Sequence, residues 1–564
     1  MTVLSLLAAA VACLGCWACS TLPRSAIPAG DPETQGFRNA IARIDRINSN
    51  LPSALTARAA YVEVLARGGV APCRQRLDAA QAQLDWLAAS PAAKVMFPDG
   101  WARTADDEYR VQSSRAACVA DAAARSQDLQ AARAAALRAV ALYLDVFDYR
   151  SAVIMQFNVA VTERRLGENA AALAALRAAI GMDREYGFRA DAADNYRQLL
   201  SWQGAPADGQ RVAALMQDFP HRIATLRFAW RAGDATVALK VLHVCLYQGK
   251  IIDSRGASTL ERHIRPGPDG WRVTSVAEQG SYDPGVWPRG ENNALMPVIV
   301  PPALLQFPGV QIRRDGQFES VSEPDAFAAR LAAETDRLVR ATVPGNRPDH
   351  DLTDGDLDAV NVMLAPQVIV HDVTENYDLQ TGLWIGASLE QGVWYSTTAP
   401  LSLPGQPGVI VNQRLDFVYT RSLPCTHAAT SPTCVELVVR ATPQPAALAA
   451  LLGNYRTERG APMHYSSSMY LRLVVDPTSM LPYVRDTHSY WQLGNGANDV
   501  LIASERMVST LTYHGQTHDR ESSTLRPTTP PPAHEVKPRL SCLEILSRSR
   551  RAATCCNGRY TAWE

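Results

Sequence analysis

The spacing of apolar residues changes several times along the chain. From Val3 to Ala18 they run almost unbroken, with Ser5 as the interruption. That run is shorter than the ~20 residues a membrane-spanning helix needs, and it matches the apolar region of a secretory signal. A polar, Pro-containing stretch, STLPRSAIPAGDPETQG, follows. From 37 to 204 apolar positions recur every three or four residues among Ala, Leu, Arg and Gln, which predicts helices. RLDAAQAQLDWLAA and AALRAVALYLDVF carry that pattern. After Gly204 the period shortens to two. Leu226, Phe228 and Trp230 alternate with polar neighbours, and VALKVLHVCLYQGKIID, STLERHIRPGPDGWRVTSV and VQIRRDGQFESVS continue as strands separated by Gly-containing turns. Two helical stretches follow, PDAFAARLAAETDRLVRA and TDGDLDAVNVMLAPQVIVHDVTENYD. Strands resume from about 393 to 514, and the remaining Pro- and Thr-rich tail reads as disordered.

These rhythms predict a multidomain α + (α+β) chain. An N-terminal α-helical, repeat-like bundle precedes an antiparallel β-sheet domain with covering helices. The expected boundaries are a signal or lipoprotein peptide at 1–19, a linker at 20–36 and a helical domain at 37–204. An antiparallel α+β domain at 220–514 and a disordered tail at 515–564 complete the chain. Its length of 564 residues suits two to four domains.

Within the helical part, SAVIMQFNVAVTERRLGENAAALAALRAAIGMDREY reads as helix, turn at Gly167, helix. Small residues at Ala160, Ala172 and Ala179 fall where two antiparallel helices need close approach. With Asn158, Gly167 and Asp183 they give a segment that resembles a tetratricopeptide repeat, whose period is ~34 residues. It departs from that pattern at Gln156 and Arg184. The resemblance implies stacked helical hairpins, since one repeat cannot bury its own faces, and a protein partner bound through them.

The cysteines bear on compartment. Leu14-Gly15-Cys16 resembles the processing box of bacterial lipoproteins, in which the cysteine becomes the acylated first residue. Cys19, after Ala18, is the second candidate for lipidation. The resemblance implies a cell-envelope protein facing the periplasm and held to the membrane by an N-terminal lipid. The alternative is an ordinary signal cut after Ala12 or Ala18, giving a soluble periplasmic or secreted protein. Either way an oxidising compartment favours disulfides. Cys425 and Cys434 bracket a loop between RLDFVYT and VELVV, where a bond would close a hairpin. Cys73 and Cys118 lie in two helical patterns that a bond would clip together. The alternative for both pairs is buried free thiols.

Chemistry is sparse. A formal net charge of -1 leaves no basic surplus for nucleic acid. No P-loop, HExxH or GxSxG motif occurs, and His371 with Glu375 in HDVTE has the wrong order for a zinc site. GNGAND at 494–499 reads as a turn. In PDHDLTDGDLDAV, Thr353 suits a helix N-cap, with Asp354, Asp356 and Asp358 near the positive end of the helix dipole. His243 with His263, and His464 with His488, lie in neighbouring strands where they could face each other. Ser466, Ser467 and Ser468 lack a turn that would expose a nucleophile. No catalytic residue, metal or cofactor is expected. The leading expectation is a non-enzymatic envelope lipoprotein that acts as a protein-interaction or assembly module. The alternatives are a periplasmic carrier or chaperone of a hydrophobic ligand, using the β-sheet domain, and an enzyme whose site is assembled from distant residues. The hairpin VDPTSMLPYV, with Asp476, Pro477 and Pro482, resembles an Asp-Pro-x-Thr-x-x-Pro turn of envelope domains. Ser479 stands where that turn has Thr. A carrier would need an apolar cavity beneath the helices; an interaction module would need an exposed groove on the helical region.

Overall fold

The computed structural model describes residues 73–89, 98–247, 250–283, 298–299, 307–342, 364–404, 406–425, 432–452, 464–494 and 500–514, with a few positions between 35 and 65. Cys16, Cys19, the linker up to residue 34, Thr353 with its acidic run, residues 495–499 and the tail from 515 lie outside the described residues.

The first half is helical. It comprises α1 (Cys73–Ala89), α2 (Pro98–Cys118), α3 (Ala122–Asp145), α4 (Tyr149–Arg165), α5 (Asn169–Tyr186), α6 (Arg189–Trp202) and α7 (Gly209–Met216). Three of these start on an aspartate whose carboxylate accepts a backbone N–H one turn in. Asp121 takes Ala124 N at 2.7 Å, Asp148 takes Ser151 N at 3.1 Å and Asp208 takes Arg211 N at 2.9 Å. Consecutive helices pack side by side, and alanine sets their spacing. Ala132, Ala135, Ala136, Ala139 and Ala152 are fully buried, as are Ala160, Ala172 and Ala179. Gly167 ends the α4 side of its hairpin with φ +88°. The disulfide Cys73–Cys118 ties α1 to α2, with 6.2 Å between the Cα atoms.

The second half is a 12-stranded antiparallel sheet. One arm of the sheet is β2 (Gly233–Tyr247), β3 (Lys250–Pro266), β4 (Gly270–Asp283), β6 (Phe307–Arg313) and β7 (Phe318–Val321), with the two-residue β5 (Val298–Ile299) beside β4. The other arm is β9 (Trp394–Leu403), β10 (Gln406–Pro424), β11 (Thr433–Pro443), β12 (His464–Val475), β13 (Pro482–Gly494) and β14 (Val500–His514). The lateral order is β7-β6-β4-β3-β2-β14-β13-β12-β11-β10-β9. The chain therefore starts at the centre, meanders to one edge and crosses over. It re-enters at the opposite edge and meanders back until β14 pairs with β2. The crossing carries α8 (Pro324–Thr342) and α9 (Pro366–Gln380), and α9 touches both β7 at one edge and β9 and β10 at the other. One helix reaching both edges requires the sheet to curl around it. A separate small ladder joins β1 (Ile223–Thr225) to β8 (Ser388–Glu390).

The period-two pattern assigns the two faces. Val237, Leu260, Ile264, Tyr483 and Leu511 point to the inner side and pack under Phe327 and Leu331 of α8 and Ile369 of α9. Further along that side, Leu437, Val439, Leu471 and Leu473 pack against Leu379 and Trp384. The outer side receives the helical region. Val418, Val438 and Tyr470 meet Phe147, Tyr149, Val153, Tyr186 and Phe188. Gly187 is required at this junction: it has φ +80°, and a Cβ there would lie 2.8 Å from Gln391. Gln391 in turn donates to Glu185 O at 2.6 Å and Thr420 O at 2.8 Å.

The structure adds a helix where only strands were expected between 393 and 514. It is α10 (Pro445–Leu452), in the connection between β11 and β12. Its sequence, PAALAALL, has proline at the start and strong helix formers throughout.

Candidate ligand-binding site

The inner face of the sheet and the two crossing helices do not close completely on each other. A cavity of about 180 Å³ remains between them. Its floor comes from inward positions of five adjacent strands: Val237 and Leu239 of β2, Leu260 of β3, Val273 of β4, Met507 and Leu511 of β14, and Pro482 of β13. Its roof is Phe327 and Leu331 of α8 with Ile369, Val373 and Tyr377 of α9. Trp230, from the segment entering the sheet, closes one side. The Trp230 indole stands 6.1 Å from Tyr377, edge to face. The Tyr377 hydroxyl donates to Gly316 O, which fixes α9 to the β6–β7 turn. Gly316 has φ +84°, and a Cβ there would run into Phe228.

Two arginines interrupt this apolar lining. Arg262 lies on β3 in phase with Leu260 and Ile264, directly across the ladder from Ser275. Arg485 lies on β13 in phase with Tyr483, directly across from Ser509. Neither forms an ion pair with a carboxylate within 4.0 Å among the described residues. Arg485 is 6% exposed and is held by neutral acceptors. Its Nε donates to Thr487 Oγ1 at 3.2 Å, and an Nη donates to Asn376 Oδ1. Burial lowers the affinity of Arg485 for its proton to a pKa of about 10; Glu375 opposes this and the nearby charge of Arg262 adds to it. Burial also lowers the Arg262 pKa. The Nε of Arg262 and the Nε1 of Trp230 are buried donors without an acceptor among the described residues.

Across the cavity, α9 carries carboxyls. Asp372 lines the site; burial raises its pKa, Glu375 adds to the rise, and its carboxylate accepts Ser402 Oγ at 3.3 Å. Glu375 is engaged elsewhere, with His371 Nε2 at 3.2 Å and Ser402 N at 2.7 Å. Burial, with Glu375 beside it, pushes Asp378 up to about 6. His371 and Glu375 thus form a pair one helical turn apart. Among the described residues no group of three or more His, Cys, Asp or Glu is arranged to hold a metal.

The residues picked out by the sequence lie elsewhere. Cys425 and Cys434 are bonded at the end of the β10–β11 hairpin. Ala160, Gly167, Ala172 and Ala179 belong to the α4–α5 hairpin, and Asn158 donates to Met155 Sδ at 3.4 Å within α4. The histidines do not face each other. His243 pairs with Ser254 and His263 with Asp234, while His464 is opposite Gly494 and His488 opposite Tyr470. The strand registers are offset from those pairings. His243 is 2% exposed, and burial pushes it down to about 4, so it is neutral near pH 7. Ser466, Ser467 and Ser468 sit mid-strand opposite Gln492, Trp491 and Tyr490.

Arg262, Arg485 and Asn376 were not singled out from the sequence, and Trp230 was named only within an alternating apolar pattern. The available signal was phase. In Leu260-Glu261-Arg262-His263-Ile264 and Tyr483-Val484-Arg485, a charge occupies a position of the inward-facing set.

No family model matches the chain. No curated protein matches it either. Among solved structures, one of lipovitellin and its lipid–protein interactions is similar at 10% identity and a TM-score of 0.28. It covers 53% of this chain and 27% of that one. A likeness of that extent leaves the site to be read from its own residues.

Proposed function

We propose that this protein is an exported envelope protein whose β-domain binds a small apolar or amphipathic ligand between the sheet and α8–α9. The observation that carries the reading is the cavity. Close-packed interiors leave few voids larger than a water molecule. A space of about 180 Å³ lined by Val237, Leu260, Val273, Phe327 and Leu331 is of the order of the engineered ~150 Å³ cavity that takes up benzene. It is below the ~300–1,000 Å³ of sites for drug-sized ligands, so the occupant is small, or one short acyl chain. The disulfides Cys73–Cys118 and Cys425–Cys434 support export. A lipid anchor at Cys16 or Cys19 remains part of the proposal; intact-mass spectrometry of the membrane-extracted protein tests it by the added acyl mass.

The interaction-module reading has less behind it. The aromatic flank of the helical region, Phe147, Tyr149, Tyr186 and Phe188, is already covered by the sheet. Leu137 and Ile154, about half exposed, are single surface hydrophobics of the kind every protein carries.

Binding of an uncharged probe tests the ligand reading. Octan-1-ol should raise the melting temperature of the wild-type protein in a concentration-dependent way. Leu260→Trp, which fills part of the cavity, should abolish that rise while the circular dichroism spectrum stays native. A wild-type protein indifferent to octan-1-ol, or a Leu260→Trp protein that responds equally, overturns the reading.

A further inference from the structure

A purely apolar ligand leaves Arg262 and Arg485 unexplained. Burying a guanidinium without a countercharge is among the costliest arrangements in a protein. Three half-buried arginines elsewhere in the molecule are matched by carboxylates. Arg421 and Arg472 converge on Glu436 at 3.3 and 2.6 Å, and Arg506 meets Asp486 at 2.8 Å. At the cavity, two arginines, each opposite a serine, have no carboxylate within 4.0 Å among the described residues; Glu375 and Glu505 act on Arg485 only from farther off. Two donors, Arg262 Nε and Trp230 Nε1, are aimed into protein without an acceptor among the described residues. The carboxyl in the lining, Asp372, is turned to Ser402.

Resting on the ligand reading above, we propose that the cavity takes an amphiphile with an anionic head, its carboxylate or phosphate oxygens held by Arg262 and Arg485. The apolar body lies among Leu260, Val273, Phe327 and Leu331. The hydroxyls of Ser275 and Ser509 stand beside the two arginines and supply further donors. A planar guanidinium matches the two oxygens of a carboxylate, so the head supplies both the countercharge and the missing acceptors. The volume restricts the body to a short chain of roughly six to ten carbons or a single ring. The lowered proton affinity of both arginines fits a site that lacks its counterion.

The test compares heads on one chain. Octanoate, octan-1-ol, methyl octanoate and octyltrimethylammonium are titrated calorimetrically into the full-length, delipidated protein, with inorganic phosphate and acetate as chainless anions. Octanoate should bind at least 10-fold tighter than octan-1-ol, and octyltrimethylammonium should not bind. Arg262→Met should remove the preference for octanoate, bringing its affinity down to that of octan-1-ol. It should also raise the melting temperature of the ligand-free protein, because a half-buried charge with no ion pair among the described residues is gone. Equal affinity for octanoate and octan-1-ol, or an Arg262→Met protein that keeps the preference, overturns the anionic-head assignment and leaves the apolar reading standing. Phosphate or acetate binding as tightly as octanoate overturns the amphiphile in favour of a free anion. No binding of any eight-carbon compound overturns both readings. The wild-type comparison needs no variant, so it decides even where Arg262→Met fails to fold.

Discussion

Asp183 shows how one residue carries its surroundings with it. Its side chain is fully buried in the α5–α6 hairpin, Oδ2 accepts Asn195 Nδ2 at 2.7 Å, and Oδ1 has no partner among the described residues. Burial pushes its pKa to about 7. Because the folded value lies above the unfolded one, the folded chain holds the proton more tightly between about pH 4 and 7. Stability from this group is therefore greatest below that window and declines as pH rises through it. Asp183→Asn should raise the melting temperature more at pH 8 than at pH 5, and a differential scan at the two values checks it. The same position was read in the sequence only as part of a repeat pattern, because a sequence gives spacing but not solvent access. Arg262 and Arg485 make the point from the other side. Their phase within strands was legible, yet whether an inward arginine meets a carboxylate depends on which strands become neighbours.

Among elements, the helices and strands were readable wherever one face is buried and the other wet. Ala-rich α3 to α5 and alternating β2 and β3 are of this kind. The pairing of those strands was not readable, since β2 with β14 joins segments more than 250 residues apart and no local signal selects the partner. The short helix α10 was missed because eight residues give too few turns for a period to register. The disulfides act at this scale as well. Cys73–Cys118 closes a separation of 45 residues and Cys425–Cys434 one of 9. In the chain-entropy account these are worth ~4 and ~3 kcal/mol. Replacing the first pair by alanine should lower the urea midpoint of the helical region more than replacing the second lowers that of the sheet. Equal losses would argue that local packing, not loop closure, sets the contribution.

At the scale of the molecule, the outer face of the sheet is joined to the helical region through a buried ionic centre. Glu436, with no exposure, accepts from Thr420 Oγ1 at 2.8 Å and pairs with Arg472 and Arg421; Arg421 also reaches Glu185 of α5 and lies over the Tyr186 ring. Burial raises the Glu436 pKa, but the two arginines and their hydrogen bonds outweigh it and leave it below 4.5. The stabilisation is thus present above about pH 4.5 and is lost as pH falls through the lower folded value. Glu436→Gln should cost about 2–3 kcal/mol at pH 7, less than a fully buried pair because both arginines keep some contact with water. It should also flatten the acid limb of the stability profile, as urea titrations between pH 3 and 7 would show.

The meeting of β2 and β14 at the middle of the sheet also sets an order of events in time. The central ladder joins the first long strand of the domain to its last, so synthesis must deliver residue 500 and beyond before the sheet can be completed. Until then β2 waits with one edge unpaired, and so does β13. Such long-range closure slows folding and leaves a partly delivered chain open to association with its own copies. A chain stopped before Val500 should therefore aggregate rather than form a smaller sheet. A chaperone that shields strand edges would have most to offer this protein during that interval.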